Sequence, residues 1–325
     1  MVVSVIVPTY NEQDNIPVLF NRLKDIAAQL THYKFEFIFI DDCSNDNTPS
    51  MLEHLKQEDK RVEFIRFSRN FGSNAAVEAG LKSCRGDVAI MLAADLQDPP
   101  EIIPKLIEQW KKGFKVVWGE REHRVHEGFT ERIFSRAYYF LMNRLTDVSQ
   151  ALTGVDVFLV DRQLIEILKK SSEKNTEIYM LIAWLGFSQT HIKFAKEARH
   201  AGSSKWTFSK RVKMFLDSLI SFSYAPLRLM SLIGIILALL GLFYGLAVII
   251  IAFHTDAPIE GWSSLMVIIL LLGGFQMSMM GMLGEYLWRT YGETRGRPRY
   301  VIEKSTLLED TQEGFDKMQD EREHL

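Results

Sequence analysis

Short apolar runs rich in β-branched residues alternate with helix-like patterns over the first third of the chain. Runs of about four to eight such residues between polar segments predict strands. The predicted strands are Val2–Val7, Phe35–Ile40, Val62–Phe67, Val88–Leu92 and Lys115–Trp118. The predicted helices between them are Ile16–Leu30, Pro49–Gln57, Asn74–Ser83 and Glu101–Lys111. This alternation predicts an α/β fold in which helices cover both faces of a mostly parallel sheet.

Two later segments, Leu229–Phe253 and Trp262–Gly284, contain no charged residue. Each is longer than the roughly 20 residues that a helix needs to span the hydrocarbon of a bilayer. Only the short segment His254–Gly261 separates them, so we expect two transmembrane helices forming a hairpin. Their length and uninterrupted apolarity disfavour the alternative, two buried helices of a soluble core.

Charge predicts the orientation of this hairpin. The connecting segment contains Asp256 and Glu260 and no Lys or Arg, whereas Lys and Arg residues flank both helices on their outer sides. These are Lys205, Lys210, Arg211, Lys213, Arg228, Arg289, Arg295, Arg297 and Arg299. Because basic flanks stay inside, we expect a multi-pass protein of the cytoplasmic membrane with both termini in the cytoplasm. The start, Met1–Val7, lacks a basic region and a cleavage site, so no secretion peptide is expected.

The segment Trp206–Phe222 has apolar residues at helical spacing directly before the first span. It predicts an amphipathic helix lying in the membrane interface, with a domain-packing helix as the alternative. The expected organisation is a large domain over residues 1–204, an interfacial region over 205–226, two spans over 227–288 and a tail over 289–325.

Composition narrows the chemistry further. The 325 residues have a formal net charge of -3, and the two cysteines, Cys43 and Cys84, offer neither a disulfide framework nor a zinc-ligand spacing. The chain has no G-x-G-x-x-G after its first strand and no G-x-x-x-x-G-K-[ST], which argues against dinucleotide oxidoreductases and P-loop NTPases. The concentration of basic residues before the spans favours anionic lipid or phosphate, and we expect no nucleic-acid partner.

Four predicted strands end in polar residues: Pro8–Glu12, Asp41–Ser44, Ser68–Asn70 and Asp95–Asp98. Carboxyl ends of parallel strands meet at one edge of a sheet, where ligands bind. One such ending could be ordinary turn chemistry, but four with carboxylates, a Tyr and an Arg favour a nucleotide pocket. Oxygen ligands at Asp95 suit a hard divalent cation that holds phosphates.

A second set of residues favours phosphate binding. Five arginines lie between Gly119 and Arg144, and two of them, Arg132 and Arg136, share one face of the predicted helix Thr130–Leu145. Guanidinium groups suit phosphate, although a solvated basic face is the alternative. The five are Arg121, Arg124, Arg132, Arg136 and Arg144.

These motifs together carry a family resemblance. Residues 8–12, 41–48, 69–72 and 94–101 resemble the successive motifs of glycosyltransferase family 2, with its A-type nucleotide-sugar fold. Residues 199–206, the two spans, Gly284–Tyr286 and Arg297–Tyr300 resemble the polyprenyl-phosphate glycosyltransferases, and among them the bacterial bactoprenol (undecaprenyl-phosphate) glucosyltransferases. The resemblance extends over roughly residues 2–303.

The resemblance implies a donor site for a UDP-sugar and a divalent metal, Mg²⁺ or Mn²⁺. Matching positions imply that uridine and ribose contact Pro8, Tyr10, Glu12 and Asp42, with Asp41 and Arg69 nearby. They imply that Asp95 and Gln97 bind the metal and the diphosphate. The chain departs from the family pattern at Ala93, Cys43 and Ser73, where Asp, Gly and Lys are usual.

The resemblance also implies an acceptor site for polyprenyl phosphate. The implied lipid-phosphate residues are Arg121, Arg132, Ser135, Arg136, Arg199 and Lys205. Asp156 matches the catalytic base, but a lipid phosphate with a second pKa of about 6 needs little proton removal. Asp156 could therefore orient substrate instead, and a simple turn aspartate is the remaining alternative.

The implied reaction is an inverting hexose transfer from UDP-sugar to polyprenyl phosphate, with glucose favoured over N-acetylglucosamine, a formylated aminoarabinose or mannose. A processive polysaccharide synthase is disfavoured because the chain lacks Q-x-x-R-W and further spans. A non-catalytic membrane scaffold is the other alternative, which Ala93 favours. The G-x-x-x-G of Gly241 and Gly245 is consistent with close helix packing, and we expect a homo-oligomer, with a tetramer among the options.

Overall fold

The structure, a computed structural model, describes residues 1–122, 155–171, 177–195, 197, 225–254 and 261–307. The strands are β1 (Val2–Thr9), β2 (Lys34–Asp41), β3 (Val62–Phe67), β4 (Val88–Met91), β5 (Val116–Arg121), β6 (Val155–Asp161), β7 (Gln189–Phe194) and β8 (Ile302–Ser305). The helices are α1 (Ile16–Gln29), α2 (Thr48–Glu58), α3 (Ser73–Ser83), α4 (Ile103–Lys111), α5 (Arg162–Lys170), α6 (Ile178–Trp184), α7 (Ala225–His254) and α8 (Trp262–Thr294), and a 3₁₀ turn spans Pro100–Ile102.

The strands form one mixed sheet in the order β7-β5-β6-β4-β1-β2-β3-β8. Neighbours β4-β1-β2-β3 are parallel, as the alternating pattern predicted. Strand β6 runs antiparallel to both β4 and β5, and β8 runs antiparallel to β3. The sheet confirms the predicted fold class, and strands β6, β7 and β8 are additions to the predicted strands.

Hydrophobic side chains pack on both faces of the sheet. One buried cluster joins α1 and α4 to residues such as Val5 and Phe37, and the other joins α3, α5 and α6 to residues such as Ile6 and Trp118. Helix α3 approaches β1 very closely at Gly80, where a Cβ atom would lie 2.3 Å from Cγ2 of Ile6. A glycine is therefore needed at this point to seat α3 on the sheet.

Helices α7 and α8 contain two segments, Leu227–Ala247 and Val267–Thr294, that are long and apolar enough to cross a membrane. None of the residues in their most apolar windows is buried within the protein. Large apolar side chains such as Leu240, Phe243, Leu271 and Met277 are exposed along them. The helices agree with the two predicted spans, and α8 continues beyond Gly284, where the predicted span ends.

Candidate active site

The carboxyl ends of β1 to β5 lie along one edge of the sheet, which we call the site edge. The four polar strand endings predicted to form a nucleotide pocket all follow strands of this parallel group. Strand β6 is antiparallel to β5, so its beginning, rather than its end, lies at the same edge. The topology therefore brings Asp156 to the same edge as the four polar strand endings.

The Asp42 carboxylate holds the loop that follows β3. It accepts hydrogen bonds from the backbone N–H groups of Phe71, at 2.6 Å, and Gly72, at 2.9 Å. Gly72 has φ of +94°, a backbone conformation that favours glycine. Burial raises the pKa of Asp42, and the two N–H donors act against this rise because they stabilise the charged form.

The neighbouring Asp41 is also buried, and its carboxylate accepts hydrogen bonds from two residues. Its Oδ1 accepts the N–H of Ser44 at 3.1 Å, and its Oδ2 accepts Nη1 of Arg66 at 3.1 Å. Burial raises the pKa of Asp41, while the hydrogen bonds from Ser44 and the charge of Arg66 lower it. Arg66 was not among the residues predicted from sequence; its signal is that it is the register partner of Asp41 across β2 and β3.

The loops after β1 and β2 are tied together by short hydrogen bonds. The N–H of Asn11 donates to Oγ of Ser44 at 2.8 Å, and the N–H of Glu12 donates to Oγ1 of Thr48 at 3.0 Å. Both loops contain a left-handed residue, Asn11 with φ of +54° and Cys43 with φ of +60°. The family preference for Gly at position 43 has a direct explanation here, because glycine adopts this φ without strain.

Three further predicted donor residues lie on these loops or beside them. Pro8 is near the end of β1, paired in register with Ile40, and the partly buried Tyr10 directly follows that strand. Arg69 is exposed after β3, with its guanidinium 4.0 Å from the centre of the Phe71 ring. The structure thus places these residues at the site edge, and their contacts with a donor remain a prediction.

Asp95 and Gln97 lie in a tight turn after β4. Oδ1 of Asp95 accepts the N–H of Gln97 at 3.2 Å, and Leu96 between them has φ of +59°. Within the described ranges, no three His, Cys, Asp or Glu side chains gather into a metal-binding group. One carboxylate and one amide oxygen nevertheless fit Mg²⁺ or Mn²⁺, since Mg²⁺ is usually bound by one or two carboxylates together with substrate phosphates.

Residues distant in sequence also contact this turn, and the sequence did not predict these contacts. The carbonyl of Gln97 accepts the N–H of Glu197 at 2.9 Å. Arg22 of α1 forms ion pairs with Glu101 and Glu197, and this raises the pKa of Arg22. Arg22 therefore links the turn to Glu197, and a single charged residue on a helix gives no sequence signal for such a role.

The predicted phosphate residue Arg121 and the predicted base Asp156 contact each other. Nη2 of Arg121, at the end of β5, donates to Oδ1 of Asp156 at 2.8 Å, and both side chains are about one quarter exposed. The hydroxyl of Tyr179 donates to the backbone carbonyl of Asp156 at 3.4 Å. The guanidinium stabilises the charged carboxylate, so Asp156 is suited to accept hydrogen bonds and to orient a partner.

The remaining predicted acceptor residues lie outside the described part of the chain. These are Arg132, Ser135, Arg136, Arg199 and Lys205, together with the predicted helices Thr130–Leu145 and Trp206–Phe222. Of the six predicted lipid-phosphate residues, Arg121 is the one whose surroundings the described ranges contain.

Comparisons with known proteins agree with the family resemblance of the sequence motifs. The model of glycosyl transferase family 2 matches residues 4–167, a range that begins within β1 and includes β2 to β6. YkcC of Bacillus subtilis (strain 168), described as an uncharacterized glycosyltransferase, is 37% identical over 306 residues, which cover 94% of each chain. The bactoprenol glucosyl transferase of Shigella phage SfII is 36% identical over 305 residues, which cover 94% of this chain and 98% of that protein.

A solved structure resembles the chain more weakly. Mannosyl-3-phosphoglycerate synthase from Rubrobacter xylanophilus aligns with a TM-score of 0.47 and 15% identity, over 72% of this chain and 75% of that chain.

Proposed function

The chain belongs to glycosyl transferase family 2, and from this premise we propose that it transfers a hexose from a UDP-sugar to polyprenyl (undecaprenyl) phosphate. The observation behind the proposal is that one sheet edge has both the donor-side carboxylates and the Arg121–Asp156 pair. Glucose is the first choice of sugar, because relatives similar over nearly the whole chain are described as bactoprenol glucosyl transferases.

On the donor side, Asp42 is proposed to hold ribose and uracil together with Pro8, Tyr10 and Glu12, with Asp41 and Arg69 nearby. Each carboxylate oxygen has two lone pairs, so an oxygen that accepts a loop N–H can still accept a ligand hydroxyl. A Mg²⁺ or Mn²⁺ ion would be held by Asp95 and Gln97, and it would neutralise charge on the departing diphosphate.

On the acceptor side, cationic side chains are proposed to hold the lipid phosphate. Those side chains are Arg121, Arg132, Arg136, Arg199 and Lys205, with the hydroxyl of Ser135. A phosphate oxygen attacks the anomeric carbon, the bond from that carbon to UDP breaks, and UDP leaves with the bonding electrons. The acceptor is already ionised near neutral pH, so Asp156 orients the sugar or the phosphate and does not need to remove a proton.

The membrane helices support a lipid acceptor. Two apolar helices with basic residues on their outer flanks would anchor the catalytic domain at the cytoplasmic face of the membrane. A polyprenyl phosphate embedded in that face has its charged end at the surface, within reach of an anchored site. The product would be a polyprenyl-phosphate-linked monosaccharide.

A second candidate, a non-catalytic membrane scaffold with a nucleotide-sugar fold, has one observation in its favour. Ala93 stands where the family's acidic motif usually has its first carboxylate, so the motif of this chain has no acidic residue at position 93. The retained Asp95, Gln97 and the Arg121–Asp156 pair favour the enzyme.

The deciding experiment incubates detergent-purified protein and undecaprenyl phosphate with a panel of labelled UDP- and GDP-sugars in Mg²⁺ or Mn²⁺. We expect label to move to the lipid from UDP-glucose more than from any other donor. Transfer from another donor would correct the sugar. Nucleotide binding without transfer from any donor would support the scaffold instead.

A further inference from the structure

The segment after the second apolar helix returns to the catalytic domain. Residues 299–307, which we call the return segment, add β8 to the sheet, antiparallel to β3. Because the two strands are antiparallel, the beginning of the return segment lies beside the end of β3, at the site edge. The N–H of Ser68 donates to the carbonyl of Val301 at 3.0 Å, which extends the pairing to the loop after β3.

The first side-chain contact reaches Asp41 through one arginine. Oε2 of Glu303 accepts Nε of Arg66 at 3.0 Å, while Nη1 of the same guanidinium donates to Asp41. The Asp41 side chain is only 1% exposed, so Arg66 is its connection to the return segment. Two carboxylates on one guanidinium fix its direction better than one does.

The second contact reaches the loop held by Asp42. The Tyr300 ring stacks on Phe67 with centroids 5.0 Å apart, and Phe67 meets Phe71 edge to face at 5.7 Å. The backbone N–H of Phe71 is one of the two donors to the Asp42 carboxylate. A row of three aromatic rings thus connects the return segment to the loop whose amides hold Asp42.

The third contact lies on the far side of that loop. Arg299 pairs with Glu78 of α3 at 2.6 Å, and both side chains are largely buried. Helix α3 begins at Ser73, directly after Gly72. The return segment is therefore joined to the elements on both sides of the loop from Ser68 to Gly72, namely β3 and α3.

We infer that the return segment is part of the donor site, and that Glu303 and Tyr300 are positioning residues for binding of a nucleoside diphosphate. This inference rests on the proposed donor function of Asp41 and Asp42. Neither residue needs to touch the ligand: Glu303 acts through Arg66 on Asp41, and Tyr300 acts through Phe67 and Phe71 on the amides that hold Asp42. The segment that follows the second apolar helix thereby contacts the residues that hold the donor-side carboxylates.

The test measures UDP binding by full-length protein in detergent with Mg²⁺, using calorimetry. We expect Glu303→Gln to weaken UDP binding by about 3- to 5-fold, in the range of a partly exposed ion pair. Tyr300→Leu should weaken it by about 3- to 10-fold through the lost ring contact, whereas Tyr300→Phe keeps the ring and should bind UDP as wild type does. In transfer assays the KM for the donor should increase with the KM for polyprenyl phosphate unchanged.

Lys304→Gln is the matched control, because Lys304 lies on the same strand and pairs with Glu53 of α2. It should leave UDP affinity unchanged. Wild-type affinity in both Glu303→Gln and Tyr300→Leu would overturn the inference, and so would equal increases in both KM values, which indicate general instability. Absence of UDP binding by the wild type itself would instead contradict the proposed function.

Discussion

Two carboxylates at the site edge, Asp42 and Asp156, are held by different kinds of hydrogen-bond donor. Asp42 accepts two backbone N–H groups from a loop that is continuous with α3. Asp156 accepts a hydrogen bond from the guanidinium of Arg121. The described residues other than glycine with positive φ are Asn11, Cys43 and Leu96, and all three lie in donor-side loops.

The difference concerns how easily each carboxylate can change its partner. Backbone N–H groups cannot leave Asp42 unless the whole loop moves, so the donor side is built in advance and includes strained backbone. A guanidinium on a flexible side chain can exchange a carboxylate for a phosphate with little rearrangement. Nε of Arg121 is buried and has no hydrogen-bond partner within the described ranges. We therefore expect donor binding to depend on loop geometry and acceptor binding to depend on side-chain charge.

The substitution on the donor side with the largest expected effect on activity is Asp95→Asn. The amide keeps an oxygen that can accept the N–H of Gln97, so the turn is retained while the negative charge is lost. We expect transfer in Mg²⁺ to fall by about 100-fold or more, the scale on which loss of one charge-stabilising group acts. The rate of label transfer to polyprenyl phosphate measures this. Asp25→Asn on the exposed face of α1 is the control, and near-normal activity of Asp95→Asn would contradict a metal role for Asp95.

The acceptor side is tested by Arg121→Gln. If Arg121 holds the lipid phosphate, the KM for polyprenyl phosphate should increase by about 10-fold or more, the worth of one charge-assisted hydrogen bond. The KM for the UDP-sugar should not change, because the described partner of Arg121 is Asp156 and not a donor-side loop.

Arg121→Lys separates the contribution of charge from that of geometry, since it keeps the positive charge and loses the planar guanidinium. Partial recovery of the KM for polyprenyl phosphate in this variant would support charge as the main contribution. An equal increase of both KM values in Arg121→Gln would show that the Arg121–Asp156 pair serves stability and not acceptor binding.

The positions of the polar loops after β1 to β4 were largely predictable from sequence, because local patterns predict the strands that place them. Strands β1 to β5 follow short apolar runs, and their polar endings meet because parallel strands share one edge. The return segment was not predictable, because Ile302–Ser305 includes two charged residues and pairs with a strand more than two hundred residues earlier. Arg66 was missed for a different reason: it lies on a predicted strand, but the register that places it beside Asp41 becomes visible only when the strands are paired.

A smaller effect is expected in the pH dependence of stability. The folded-state pKa of Asp42 is raised above 3.8, so the folded protein binds this proton more tightly than the unfolded chain does. The contribution of Asp42 to stability is therefore most favourable below pH 3.8 and is lost as the pH rises through the folded-state pKa. Asn does not titrate, so Asp42→Asn lacks this loss of stability. The difference in the free energy of unfolding, variant minus wild type, should therefore increase as the pH rises from 3.8 through the folded-state pKa of Asp42. Chemical denaturation at several pH values measures this, and a difference independent of pH would contradict it.

The smallest effect concerns the strained backbone of the donor side. Cys43 has φ of +60°, a conformation that costs a residue with a side chain about 1 kcal/mol and costs glycine almost nothing. Part of this gain is lost because glycine makes the unfolded chain more flexible, so Cys43→Gly should stabilise the protein by about 0.5 kcal/mol or less. Cys43→Ala is the matched control, since it removes the thiol and keeps the Cβ atom. If both variants shift the free energy of unfolding equally, the thiol and not the backbone accounts for the change, and the strain assigned to this loop is wrong.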